Sequence, residues 1–151
     1  MQAVFAVLVT AVMLHPAVPS EKNAGVRVYI YTAESSSGNV SDEEQGRRDS
    51  VRDLRDAMRH KSGIIIVDDR DQAQVVVEVI GREKREGPQG GFGGKSVTDF
   101  GDTILRLRVK AGVDETEIKG IGQAYWGRAA KDAADRLAKW IARHRESGFR
   151  A

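Results

Sequence analysis

The sequence predicts an α+β fold, a two-layer sandwich in which a largely antiparallel five-stranded sheet carries two helices on one face, in the order β-α-β-β-β-β-α. Three observations predict it. Apolar residues alternate with polar ones at Val26–Tyr31 and again at Leu105–Lys110, the period of a strand with one buried face. Two other segments place apolar residues three and four apart, as a helix with one buried side requires. Ile64-Ile65-Ile66-Val67 is a short continuous apolar run, as in a strand buried on both faces.

Ahead of the domain, an uncharged run from Ala3 to Leu14 leads into His15-Pro16-Ala17-Val18-Pro19-Ser20, the layout of a secretory signal peptide. Val18 and Ser20 are the small residues before a cut near Glu21, although Met1-Gln2 supplies no basic leader. A permanent span is disfavoured, because crossing a hydrocarbon core takes about 20 apolar residues. Residues 1–20 are therefore read as a signal peptide and residues 21–151 as a single domain, periplasmic or secreted after processing and without a membrane span.

The first strand is Val26, Val28 and Ile30 facing the core with Arg27, Tyr29 and Tyr31 facing out. Ser41 and Glu44 make a capping box, so a helix starts at Asp42; Val51, Leu54 and Met58 form its apolar side, and Gly63 ends it. Asp68-Asp69-Arg70-Asp71 reads as a capped turn after the isoleucine run, and a longer strand covers Gln74 to Arg82. Residues 83–101, rich in glycine, form a mobile loop. A strand through Leu105, Leu107 and Val109 then turns at Ala111–Asp114 onto a last strand, Glu115 to Ile121. The final helix runs from about Tyr125 to Arg145 and buries Ala130, Ala133, Ala134, Leu137, Trp140 and Ile141.

Composition narrows the function. The chain has 24 basic and 22 acidic residues, a formal charge of +2, which is far from the dense positive field of a dedicated nucleic-acid binder. It has no cysteine, which excludes disulfides, thiol nucleophiles, thiolate metal sites and an acylated lipoprotein cysteine. Histidines 15, 60 and 144 are scattered. No cofactor, metal site or catalytic residue is assigned.

The motifs reduce to structural readings. Gln89-Gly90-Gly91-Phe92-Gly93-Gly94-Lys95-Ser96 ends as phosphate loops do, but its first required glycine is Gln89 and a strand follows where a helix should. A calcium loop begun at Asp69 would need glycine at Gln74 and glutamate at Ile80. The basic residues Arg82, Lys84, Arg106 and Arg108 are candidates for an anion site. Against this, a four-residue turn sets Lys110 opposite Glu115, Arg108 opposite Glu117 and Arg106 opposite Lys119, neutralising most of that stripe, with Val109 and Leu107 meeting Thr116 and Ile118 on the core side. Candidate partner contacts are Tyr29 and Tyr31 on the first strand, that strand's free edge, and Gly91, Phe92, Gly93, Gly94 and Lys95 of the loop.

The helix end from Leu54 to Gly63 running into Ile64-Ile65-Ile66-Val67-Asp68-Asp69, then Ala73 leading Val75-Val76-Val77-Glu78-Val79, resembles small α+β modules of the bacterial envelope. These are the N-terminal domain of the Tol translocation protein, the curli secretion channel subunit, and lipoprotein activators of penicillin-binding proteins. The resemblance covers about half of the mature chain and implies scaffold or partner-binding work without catalysis, in families that are often lipoproteins. The expected function is a non-catalytic exported adaptor with an envelope protein partner; the alternatives are a small-ligand or polyanion binder on the basic hairpin, or an enzyme using acids such as Glu78, Asp102, Glu115 and Glu117.

Overall fold

The computed structural model describes residues 25–33, 41–85 and 101–146. Its elements are β1 (Val26–Tyr31), α1 (Asp42–Arg59), β2 (Ile64–Ile66), β3 (Val75–Arg85), β4 (Asp102–Ala111), β5 (Asp114–Gln123) and α2 (Trp126–Glu146), with a 3-10 turn at Arg70–Gln72. The fold is the expected α+β sandwich, an open five-stranded sheet in the order β2-β1-β3-β4-β5 with two helices. Among the described residues, no helix is long and apolar enough to cross a membrane.

The sheet is mixed. β1 pairs in parallel with both β2 and β3, whereas β3-β4 and β4-β5 are antiparallel. Parallel neighbours normally need a long crossover, which α1 supplies between β1 and β2. The link from β2 to β3 is much shorter and suffices because the two strands meet successive stretches of β1. β2 pairs with Val26–Val28 and β3 with Val28–Tyr31, so the chain only steps across β1. Arg27 holds that step: its carbonyl accepts the Gln74 N–H at 2.9 Å, and its side-chain Nε donates to the Gln72 carbonyl at 2.6 Å. Asp69 caps the turn as its residue types predict, accepting from the Asp71 N–H at 3.0 Å.

Three expectations are corrected here. β1 lies inside the sheet, between β2 and β3, and is not the edge strand expected, although β2 covers only Val26–Val28 of it. β2 is an edge strand instead of a doubly buried one: Ile64 and Ile66 pack toward the core, but Ile65 turns to the open face and is 49% exposed. An apolar run records only that both sides touch something; it does not say where the strand sits in the sheet. Glu83 to Arg85, expected in the glycine-rich loop, belong to β3.

The helices form as their sequences dictate. The Ser41 side chain accepts the Glu44 N–H at 3.2 Å, satisfying one of the exposed amides at the start of α1. Leu54 and Met58 are fully buried, and Gly63 takes the positive φ of 74° that lets the chain turn into β2. On α2, Ala129, Ala130, Ala133, Ala134 and Leu137 are buried, while Trp140 is partly buried against the core. Their partners are glycines of β5. A Cβ on Gly120 would lie 2.2 Å from the Ala129 carbonyl oxygen, and one on Gly122 would lie 2.4 Å from the Ala129 nitrogen. Alanine on the helix and glycine on the strand together let α2 sit directly on β5.

Candidate functional site

The helices cover one face of the sheet and leave the other open. On β1, alternation sends Tyr29 and Tyr31 to the open face, where their rings stack at 5.5 Å with an interplanar angle of 18°. Both are half-buried, and the Arg70 guanidinium lies 5.8 Å from the Tyr31 ring centre. Register sets Val76 beside Tyr29 and Glu78 beside Tyr31 on β3. Together with Ile65 these residues form an aromatic and aliphatic platform over β2, β1 and the start of β3. The two tyrosines singled out from sequence are thus brought together.

The β4-β5 half of the same face is charged. Its register is the expected one, with Lys110 opposite Glu115, Arg108 opposite Glu117, Arg106 opposite Lys119, and Leu107 and Val109 opposite Ile118 and Thr116. The turn itself is tighter, reduced to Gly112-Val113, with Gly112 at φ 58° in the first central position of a two-residue hairpin. Two of the ion pairs run on the diagonal, Arg106 to Glu117 and Arg108 to Glu115, and two run directly across, Arg108 to Glu78 and Lys110 to Glu115. Arg106 donates twice to Glu117, at 2.9 and 3.2 Å, and Arg108 bridges Glu78 at 3.0 Å and Glu115 at 3.4 Å, while Lys110 also reaches Glu115 at 3.1 Å. Arg106 faces Lys119 across the strands and reaches the diagonal Glu117 instead, while Arg108 sits nearer Glu78 directly opposite on β3 than the diagonal Glu115. Hydrogen bonding from Arg106 holds the Glu117 carboxyl below its ordinary range, and the same bond raises the Arg106 guanidinium.

The four candidate anion-binding residues do not form one patch. A β-bulge at Ile80 shifts the β3-β4 register between Val79 and Gly81, setting Arg82 opposite the buried Leu105 and Lys84 opposite the buried Thr103. Arg82 therefore turns to the helix side, away from Arg106 and Arg108. Its guanidinium stacks 3.8 Å from the Trp126 ring centre, faces Asp49 and Asp53, and lies so close to α1 that a Cβ on Gly46 would come within 1.8 Å of it. Burial lowers its pKa, against the pull of the two aspartates. This is a helix-sheet contact, and it leaves Trp126 half-buried beneath the arginine.

Residues Gly91, Phe92, Gly93, Gly94 and Lys95 lie outside the described residues. Among the described residues, no three histidine, aspartate or glutamate side chains are placed to hold a metal ion. Sequence reading also passed over a sorting of charge around α1. Arg48, Arg52, Arg55 and Arg59 recur at spacings of four, three and four on one side, with Asp42, Asp49, Asp53 and Asp56 on another. Helical angles rather than composition would have revealed it.

No protein-family model matches the chain, and no curated protein matches it. Solved structures with a similar arrangement include the Thermus thermophilus Protein Y N-terminal domain, at 11% identity and TM-score 0.36, covering 80% of this chain and 98% of that one. A ribosomal subunit interface protein from Coxiella burnetii matches at 7% identity and TM-score 0.39, over 80% of this chain and 99% of that one. The uncharacterized lipoprotein B from Nitrosomonas europaea matches at 15% identity and TM-score 0.39, over 82% and 86%. These proteins have different roles by name, and none of those roles is carried across at such scores. The resemblance to the Tol, curli and activator modules rests on sequence pattern alone.

Proposed function

We propose that the chain is an exported, non-catalytic binding module that holds a protein partner of the bacterial cell envelope on its open sheet face, with Tyr29 and Tyr31 as the anchor. The observation that carries this reading is the stacked, half-exposed tyrosine pair beside a hairpin whose charges already neutralise one another. Rigid aromatic side chains give contact area at small entropic cost and dominate interface energetics where they are present. Of the four acids that an enzymatic reading would use, Glu78, Glu115 and Glu117 are ion-paired with Arg106, Arg108 and Lys110, and Asp102 lies at the far end of β4. The same pairing disfavours a polyanion site on the hairpin. Export rests on the signal-like start, which lies outside the described residues.

Photo-crosslinking in intact cells from a reactive side chain at position 29 or 31, followed by capture from the envelope fraction, tests the proposal. A single dominant partner is expected. Tyr29→Ser with Tyr31→Ser should keep the circular dichroism of the fold yet weaken that partner by about thirtyfold, the loss of one aromatic anchor of ~2 kcal/mol. Recovery of the unprocessed chain from the cytoplasm, or no adduct from either position, removes the reading.

A further inference from the structure

We propose that the β2 edge and the arginine ridge of α1 together receive an extended acidic segment of a partner protein, which adds to the sheet as a sixth strand. The surface differs from the tyrosine platform, and neither proposal needs the other.

The backbone comes first. Gly63 offers its carbonyl to the Val26 N–H at 2.8 Å, and Val67 donates to the Val28 carbonyl at 3.0 Å, so these residues turn their backbone groups toward β1. Strand alternation then points the N–H and C=O groups of Ile64 and Ile66 outward. Among the described residues nothing bonds to them. An added strand has two donors and two acceptors to meet, the mode of recognition in which main-chain bonds give affinity and side-chain pockets give specificity.

The side chains define what that strand should be. Ile64 and Ile66 share register with Val26 and Val28 and face the helices, so residues of an incoming strand beside them would face the helix layer too. On that side α1 carries a groove of about 290 Å³ lined by Arg48, Arg52, Arg55 and Arg59 with Val51, Asp56 and, two residues beyond β2, Asp68. Arg48, Arg55 and Arg59 are ion-paired with Glu44, Asp68 and Asp56, so the cation that the groove offers most openly is Arg52. Arg52 is held only loosely, 3.6 Å from Asp49 and 3.8 Å from Asp53, and its side chain is 70% exposed. Arg55 bonds Asp68 through Nη2, while its Nε is buried without a hydrogen-bond partner. From Arg48 to Arg59 the ridge spans about 16 Å at helical rise, the length of roughly five residues of strand. The βαβ connection lays α1 along β2, so alternate carboxylates on such a strand would fall along the ridge.

Isothermal titration with a short capped peptide of alternating glutamate and valine tests the proposal. The wild-type chain should bind it, and the matching lysine-valine peptide should bind at least about tenfold more weakly. Arg52→Glu with Arg59→Glu should weaken the acidic peptide by about tenfold or more. Ile66→Pro, which removes an outward N–H but no bond to β1, should abolish binding. If that variant does not fold, slowed amide exchange at Ile64 and Ile66 in the peptide-saturated wild type gives the same answer. Equal binding of both peptides, no binding of either, or displacement by inorganic polyphosphate with Ile66→Pro behaving as wild type would each overturn the proposal. So would a peptide-free dimer that Ile66→Pro returns to monomer, which would give the edge to a second copy. Tyr29→Ser with Tyr31→Ser should bind the peptide normally, which keeps this result separate from that of the tyrosine platform.

Discussion

At the β5 edge the strand is ten residues long, begins with Asp114 and Glu115, and is covered over its second half by α2, where the Asp132 carboxylate accepts the Ile121 N–H at 2.9 Å. At the β2 edge there are three residues, all isoleucine, with no helix over the outward backbone groups. An uncovered edge invites a further strand, and proteins protect it by charge, by cover or by brevity. β5 uses the first two and can therefore be long. β2 uses only the third, so the pairing capacity left at that edge is small, apolar and flanked by arginine. The difference shows that a mixed sheet with both helices on one face need not be equally closed on its two sides.

The largest way to break this contrast is to lift α2 off β5. Gly120→Val places a branched side chain where even a Cβ would meet the Ala129 carbonyl oxygen at 2.2 Å and the Ala133 nitrogen at 2.7 Å. Neither is the tip of a flexible side chain, so the helix must move. The variant should lose about 3 kcal/mol, the upper end of the usual overpacking cost, as a lower urea midpoint with α2 amides exchanging faster. An unchanged midpoint would mean that α2 does not rest on β5 at this point, and the covered edge would lose its cover.

Much of this architecture was legible in the sequence, and the exceptions have physical causes. The hairpin register could be read residue by residue because both faces constrained it at once: Leu107 and Val109 had to meet Ile118 and Thr116 while the charges found partners. The central place of β1 could not be read, because it depends on the path of the short link held by Arg27, and parallel pairing leaves no turn signature at that distance. Arg82 was misplaced for a similar reason. One extra residue in β3, Ile80, reverses which side chains face the core beyond it, and nothing in the alternation of Val75 to Val79 announces the bulge. Of the candidate site, the tyrosine pair was visible as period two on one strand. The arginine ridge was equally present in the sequence but was hidden by composition, since arginine and aspartate alternate along α1 and separate only around it.

A smaller test removes cover at a single bond. Asp132→Ala frees the Ile121 N–H, and about 1 kcal/mol of stability should go with that hydrogen bond to a charged acceptor. The local readout matters more than the global one. Amide exchange at Ile121 should accelerate well beyond what the stability change predicts, and the variant should become more prone to association at high concentration, as an exposed edge would. If exchange at Ile121 is unaltered, β5 is protected by its charges and not by the helix.

The smallest expected effect falls on the charges themselves. The Glu117 carboxyl is held below its ordinary 4.5 chiefly by the hydrogen bonds from Arg106. A depressed carboxylate contributes stability above its unfolded pKa and loses that contribution as pH falls through the folded value. The wild type should therefore show a slight extra loss as pH drops below about 4.5 that Glu117→Gln lacks, while at neutral pH the two differ little because the pair is exposed and screened. Asp135, depressed by its bond from Lys61, shifts in the same direction, so Asp135→Asn is the control that separates the two contributions. A pH profile of Glu117→Gln identical to the wild type would mean that the diagonal pair is not held in solution. The hairpin would then present Arg106 as a free cation on the open face, and its charge would count toward binding instead of being spent on Glu117.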